Sequence, residues 1–191
     1  MDAGSAPDAR HRDATLIRAV AEGDRAAARS LIDAHLTPLI AHVERLTRDR
    51  AEAEDIAQES FLRLWRIASE WTPRAKARTW LITVAGRLAI DRLRRAGRWS
   101  DADPPDMADS RPSPEAEADA REVGVAVEAA IAALPDRQRA AFALVHLDGL
   151  SGREAAESLN VSEEALESLL ARARRSLRAR LAAYRTEEYP S

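Results

Sequence analysis

The residues with the most chemistry to offer are arginines and carboxylates at helical spacing, beginning with Ser151 to Leu181, SGREAAESLNVSEEALESLLARARRSLRARL. The guanidinium groups of Arg172, Arg174, Arg175, Arg178 and Arg180 can pair with phosphate, and they follow an acidic group of Glu163, Glu164 and Glu167. Caps mark the elements that must hold these groups. Ser151 with Glu154 forms a capping box, in which hydroxyl and carboxylate each satisfy a backbone N–H at a helix start. Asn160 stands where a short first helix must close in the left-handed conformation, and Ser162 caps a second. Leu166, Leu170, Ala173, Leu177 and Leu181 fall at three- and four-residue steps and make one apolar stripe along that second helix. Two helices joined by about four residues fit the helix-turn-helix unit that enters DNA grooves, and they fit an ordinary helical hairpin equally well.

A second basic cluster lies earlier, where Arg74, Lys76, Arg78, Arg87, Arg92, Arg94, Arg95 and Arg98 face a single acid, Asp91. The stretch ARTWLITVAGRLAIDRLRRAGR has helical periodicity, which predicts Trp80, Leu81, Val84, Leu88 and Leu93 mainly inward. Thr83, Arg87, Asp91, Arg94 and Arg95 then share the outward side. Arginines beside exposed aromatics suit nucleic acid, because guanidinium meets phosphate while indole stacks on bases. The alternative is that Trp71 and Trp80 are core and Arg87 pairs with Asp91. Before this cluster, AEAEDIAQESFLRLWRIASEW carries an apolar stripe of Ala57, Phe61, Leu64, Ala68 and Trp71. Asp55, Gln58, Glu59, Leu62, Arg63 and Arg66 line its other side, either as a contact surface or as a solvated face held by pairs such as Glu59 with Arg63.

Composition bounds the possibilities. Hydrophobic residues make up 46% of the chain and aromatic residues only 4%, with alanine, leucine, arginine and glutamate dominant, which predicts an all-α protein. The absence of cysteine excludes disulfides, thiolate metal sites and thiol sensing. His11, His35, His42 and His146 have no metal-ligand spacing and read as surface or boundary residues. No cofactor is expected. No apolar run reaches bilayer length and the polar start has no signal-peptide core, so the chain is expected in the cytoplasm, without membrane insertion. The net charge of −3 conceals segregation: eight acids between Asp101 and Glu122 face only Arg111 and Arg121, so two basic regions flank an acidic strap.

In chain order, residues 1–12 read as a disordered tail. Asp13 is expected to cap a helix that Gly23 ends, and Asp24 to cap a second helix that Pro38 interrupts and kinks. Thr72 and Pro73 should end the helix through Trp71. A linker rich in Pro, Asp and Ser follows, then a helix from about Ala118 through Leu134, another from Pro135 and Asp136 toward Gly149, the two helices described first, and a tail at 186–191.

Three stretches, DIAQESFLRLW at Asp55 to Trp65, WLITVAGRLAIDRLRR at Trp80 to Arg95 and ALPDRQRAAFALVHLDGLSGREAAESLNVS at Ala133 to Ser162, occur in the order found in extracytoplasmic-function (ECF) sigma factors. The chain resembles these small members of the bacterial sigma-70 family from Asp13 to Ala183. The resemblance implies two small helical domains, with region 2 at 13–97 and region 4 at 118–185 joined by a flexible acidic linker at 98–117. It implies an initiation factor, not an enzyme, whose partners are core RNA polymerase (the β′ clamp helices and the β flap), promoter DNA and a cognate anti-sigma factor.

By the same resemblance, Asp55, Gln58, Glu59, Leu62 and Arg63 would dock on polymerase. Arg74, Lys76, Arg78, Trp80, Thr83, Arg87, Asp91, Arg94 and Arg95 would open and hold the −10 element. Arg153, Ser162, Glu163, Glu164, Glu167, Ser168, Ala171, Arg172 and Arg175 would face the −35 element, with further phosphate contacts from Arg174 or from Arg137 and Arg139. The chain departs from the family at Gly86, Arg87, Glu167 and Leu169, where a larger basic residue, Asn, Lys and Arg are usual. A second reading, prompted by the acidic start of the last helix, is a sigma-like decoy that binds an anti-sigma factor without binding DNA. A free-standing helix-turn-helix repressor is a third, opposed by the polymerase-docking motif.

Overall fold

Helix starts in this protein are written by short polar side chains, and most lie where local chemistry places them. The computed structural model describes residues 9–72, 76–99 and 120–182, with side chains from residue 11 and, in the last segment, from residue 124. It contains α1 (Ala9–Ala21), α2 (Arg25–Thr47), α3 (Arg50–Arg66), a 3₁₀ turn (Ala68–Glu70), α4 (Ala77–Arg95), α5 (Ala120–Ala132), α6 (Asp136–Phe142), α7 (Gly152–Leu159) and α8 (Glu163–Arg180). The fold is all-α, and among the described residues there is no strand. The chain divides into two units between Arg95 and Ala96. Residues 1–8 of the expected tail, residues 100–117 of the expected linker, Arg74 and the tail at 186–191 lie outside the described residues.

In the first unit α2 packs against α1, α3 and α4, and α3 packs against α4. Gly23 closes α1 at φ +89°, a conformation that costs glycine nothing, and its N–H donates to the Val20 carbonyl at 2.9 Å. Asp24 then caps α2 as expected, its Oδ1 accepting from the N–H groups of Ala26 at 2.7 Å and Ala27 at 3.1 Å. Asp49 caps α3 in the same way through the N–H of Glu52 at 3.0 Å.

Four expectations give way to tertiary packing. α1 starts at Ala9, so Asp13 is not its cap; its Oδ2 meets His35 Nε2 on α2 at 3.2 Å, with both side chains only 13% exposed. His35 is therefore a link between helices, and His42 is wholly buried on the core face of α2. α2 runs through Pro38 without interruption. The missing proline N–H removes one rung of the hydrogen-bond ladder, while Leu31, Leu39, Val43 and Leu46 on either side are buried against neighbouring helices. α3 ends at Arg66, five residues before Trp71, because the chain tightens at Ile67 into the 3₁₀ turn that sets Ala68 in the core and packs against α1.

The second unit is built around α8, which α5, α6 and α7 all contact. Ala130, Leu134, Ala173 and Leu177 form a buried cluster, flanked by Ile131, Phe142 and Leu181. Pro135 precedes α6, as the sequence implied. Past Phe142 the helix widens into a π turn over Ala143–Leu147, where the Asp148 N–H reaches the Ala143 carbonyl at 2.9 Å, before Gly149 closes it at φ +73°.

Replacing Asp24 with Ala removes two side-chain acceptors at the start of α2 and should lower stability by about 1 kcal/mol, read as a lower urea midpoint with unchanged slope.

Candidate nucleic-acid and partner interfaces

α3 buries Ile56, Ala57, Ser60, Phe61 and Leu64, which leaves Asp55, Gln58, Leu62 and Arg63 exposed and Glu59 half-buried on the other side. Arg63 Nε donates to Glu59 Oε1 at 2.9 Å, and Arg66 Nη1 lies 3.9 Å from the same oxygen. The hydrogen bond from Arg63 holds the Glu59 carboxyl below its ordinary range, and the charges of Arg63, Arg66 and Arg92 act in the same direction against a partial desolvation. A depressed carboxyl stays ionised as pH falls through the usual carboxylate range, so the pair with Arg63 persists there and is lost only at lower pH. Leu62, 43% exposed, is an apolar spot within this charged ridge.

α4 turns inward a face that mixes small and large aliphatic residues. Leu81, Ile82, Ala85, Gly86, Ala89, Ile90 and Leu93 are buried, whereas Val84 and Leu88, expected inside, are only half-buried. The helical phase is set by Ala85, Gly86 and Ala89, whose lack of bulk lets the neighbouring helices approach. Trp80 is the main correction. Steps of seven and eleven residues place it in line with Arg87 and Asp91, so it belongs to the outward side and is half-buried. Its ring meets that of Trp71 edge-on, with centroids 5.9 Å apart and planes at 81°. Arg87, Asp91, Arg94 and Arg95 are exposed, Lys76 is exposed just before the helix, and Arg78 is half-buried. Thr83 is half-buried with its hydroxyl donating to the Thr79 carbonyl at 2.9 Å, which occupies its donor. Arg74 lies outside the described residues.

The helix-turn-helix forms as its caps dictate. The Ser151 and Glu154 side chains satisfy each other's backbone N–H groups, Asn160 adopts φ 55° and ψ 49°, and Ser162 Oγ accepts from the Ala165 N–H at 3.2 Å. Leu166, Leu169, Leu170, Ala173 and Leu177 bury one face of α8. Leu169 is thus a core residue, and its departure from the family leaves the outward face untouched. Ser162, Glu163, Glu164, Glu167, Ser168, Ala171 and Arg175 are exposed together, Arg172 is half-buried at the edge, and Arg153 is exposed on α7. Arg174 Nη2 lies 3.9 Å from Glu167 Oε2, while its Nε donates to the Leu170 carbonyl at 3.2 Å. Arg178 shares this side by its seven-residue step from Ala171, and with Ala171, Arg174 and Arg175 it lines a shallow hollow; that step is the signal by which the sequence assigns it.

One expected phosphate contact is excluded. Arg139 is 2% exposed; its Nη1 donates to the Leu134 carbonyl at 3.0 Å and its Nη2 to Asp136 Oδ1 at 2.7 Å, so it ties the end of the α5–α6 connection to α6. Its neighbour Arg137 is half-buried.

The sigma-70 region 2 family matches residues 31–98, and the sigma-70 region 4 family matches residues 124–177. The ECF RNA polymerase sigma factor SigM of Mycobacterium tuberculosis is 34% identical over 173 residues, covering 90% of this chain and 85% of that protein. The chain belongs to the ECF sigma factors of the sigma-70 family. It is a transcription initiation factor. SigE of Mycolicibacterium smegmatis is 32% identical across 87% of this chain and 67% of its own length. Among solved structures, CnrH in complex with the cytosolic domain of CnrY aligns with a TM-score of 0.60 at 24% identity, over 90% of this chain and 98% of that one. The sigma factor RpoE in complex with the anti-sigma factor NepR from Bartonella quintana aligns at 0.58 and 19% identity, over 84% of this chain and 98% of that one. Both support the all-α fold of this sigma factor. Among its described residues no helix is long and apolar enough to cross a membrane, and no group of His, Asp and Glu is placed to hold a metal ion.

The two classes of arginine in region 4 separate by experiment. Arg139→Ala should destabilise the protein by about 2–3 kcal/mol in urea unfolding, because it strips a buried carbonyl of its donor. Arg175→Ala, at an exposed site, should leave the unfolding midpoint within about 0.5 kcal/mol of the parent protein.

Proposed function

We propose that this sigma factor works by division of labour: α3 docks on core polymerase, α4 opens and holds the −10 element, and α8 reads the −35 element. The observation that carries the reading is the outward side of α4, where Trp80, Arg87, Asp91, Arg94 and Arg95 lie together while Leu81, Ile82, Ala85, Gly86, Ala89, Ile90 and Leu93 are buried on the opposite face. Cations that neutralise phosphate beside an indole that can stack suit a single strand better than a duplex. Lys76, Arg78 and Thr83 extend this surface, and Arg74 is assigned to it from sequence alone. On α3 the exposed residues Asp55, Gln58, Leu62 and Arg63, with Glu59 held by Arg63, offer charged and apolar groups for the β′ clamp helices.

The −35 contact of this sigma factor has unusual electrostatics. Glu163 and Glu164 sit in the first turn of α8, where they favour its positive end, and Glu167 follows; none of them attracts phosphate. Attraction comes from Arg172, Arg174, Arg175 and Arg178, with Arg153 on the preceding helix, while Ser162, Ser168, Ala171 and the glutamates face the bases. Glutamate can accept from cytosine N4. Region 4 alone should therefore bind DNA weakly, and tethering by polymerase supplies the missing affinity.

We assign region 2 to residues 13–97, extended by the observed start of α1, region 4 to 118–185, and the acidic linker to 98–117. The protein acts in the cytoplasm as an initiation factor and is not an enzyme. The likeness to CnrH and RpoE, each solved with a bound partner, supports a cognate anti-sigma factor as a further partner. A sigma-like decoy is the second reading, favoured by the three exposed glutamates.

Run-off transcription from the protein's own promoter with purified core polymerase should depend on added protein; no such transcript, with anti-sigma binding retained, would sustain the decoy instead. Replacing Arg94 and Arg95 together with Ala should reduce open-complex formation by roughly tenfold or more while sparing core polymerase affinity, because phosphate contacts hold DNA and α3 carries the docking face. Equal loss of both activities would contradict the division.

A further inference from the structure

Of the 29 cationic side chains in the sequence one is a lysine, and it is Lys76 at the start of α4. We propose that Lys76 is an acylation site at which an activated acyl donor switches off strand binding, an inference that rests on the strand-binding reading of α4. A guanidinium keeps its proton in proteins, so none of the arginines can be acylated in this way. A lysine amine can lose its proton and attack a carbonyl, and the amide that results carries no charge. Where a permanent cation suffices, as at Arg78, Arg87, Arg94 and Arg95, the strand-binding surface has arginine. Only at Lys76 does it have a cation that chemistry can remove.

The structure leaves this amine open to reagents and places it where its charge counts. Lys76 is exposed, and among the described residues no carboxylate pairs with its ammonium. Its backbone is fixed by the helix start, where its carbonyl accepts from the Trp80 N–H at 3.1 Å. Steps of four, seven and eleven residues put it at the head of the outward row of Trp80, Thr83 and Arg87, one turn before the indole that meets Trp71 edge-on. The activated donors, an acyl phosphate or an acyl thioester of coenzyme A, are anions, and Arg78 two residues on adds to the positive charge that attracts them. In the reaction the neutral amine attacks the acyl carbon and a C–N bond forms. The C–O bond to phosphate or the C–S bond of the thioester breaks, the leaving group departs with the electron pair, and the amine proton passes to water. The product is an amide in place of an ammonium, so one phosphate of the strand loses its counter-charge.

The test uses the full chain treated with acetyl phosphate in one arm and acetyl-coenzyme A in the other, then assembled with core polymerase on fork-junction promoter DNA. Peptide mapping by mass spectrometry should place an acetyl group on Lys76, and the arm that gives it identifies the donor. The acetylated protein should bind the fork roughly fivefold more weakly, with the slope of log affinity against log salt reduced by about 0.7, the loss of one single-strand phosphate contact. Its core polymerase affinity should be unchanged. Lys76→Gln should lower the slope by the same amount without treatment. Lys76→Arg keeps the cation and lacks the amine, so its fork affinity should be the same before and after treatment with either donor. The site is overturned if neither donor acylates Lys76, or if the acetylated protein binds the fork with the parent's affinity and slope. It is equally overturned if Lys76→Arg loses affinity on treatment as the parent does, which would place the effect on the terminal amine, or if acetylation costs core polymerase affinity, which would make Lys76 a polymerase contact. Failure of the untreated holoenzyme to bind the fork at all would remove the α4 reading and the site with it, an outcome distinct from insensitivity to the donors.

Discussion

Alanine at helix contacts is the constraint on which the rest of this protein depends. Ala53 and Ala57 on α3, Ala85 and Ala89 on α4, Ala140 and Ala141 on α6, Ala155 on α7 and Ala173 on α8 are completely buried. A core with so few aromatic residues cannot fill space with rings, so its helices must approach closely, and alanine permits this without cost in side-chain entropy. Close approach fixes the rotation of each helix about its own axis, because only the alanine side can face a neighbour at that distance. The polar residues are then committed to the outside.

Rotation is what turns a list of charged residues into surfaces. On α3 it separates Phe61 and Leu64 from Asp55, Gln58, Leu62 and Arg63. On α4 it brings Trp80 into line with Arg87 and Asp91, a grouping that no pair of adjacent residues suggests. On α8 it buries Leu169 and leaves an outward side that runs from glutamate at its start to arginine at its end. That gradient favours the helix dipole at both ends, so the fold and the proposed DNA contact make opposite demands on Glu163 and Glu164. The family's usual lysine at the Glu167 position would serve phosphate directly; here the outward cations lie in the second half of the helix.

What could be read in advance was local. Asp24, Ser151 with Glu154, Asn160 and Ser162 act on backbone groups within three residues of themselves, so their roles follow from spacing alone. The same locality failed where a distant partner intervened. Asp13 looks like a cap and instead meets a histidine twenty-two positions away on another helix. Pro38 looks like a break and sits inside a continuous helix buried on both sides of it. Arg139 looks like a phosphate ligand among other arginines, but the Leu134 carbonyl claims its guanidinium. Trp80 looks like core because indole is large and apolar, and only the alanine face of α4 shows that the inward positions belong to smaller residues.

By itself the sequence determined the helical class, the caps and turn of the helix-turn-helix, and, through three motifs in order, membership of the ECF sigma factors. Each of these rests on interactions between near neighbours or on residue patterns that need no coordinates. Only the tertiary structure decided which side of α4 faces outward, where α3 stops and which arginines remain exposed. Those outcomes depend on how closely one helix approaches another, a quantity set by residues distant in the chain and invisible in any single stretch of it.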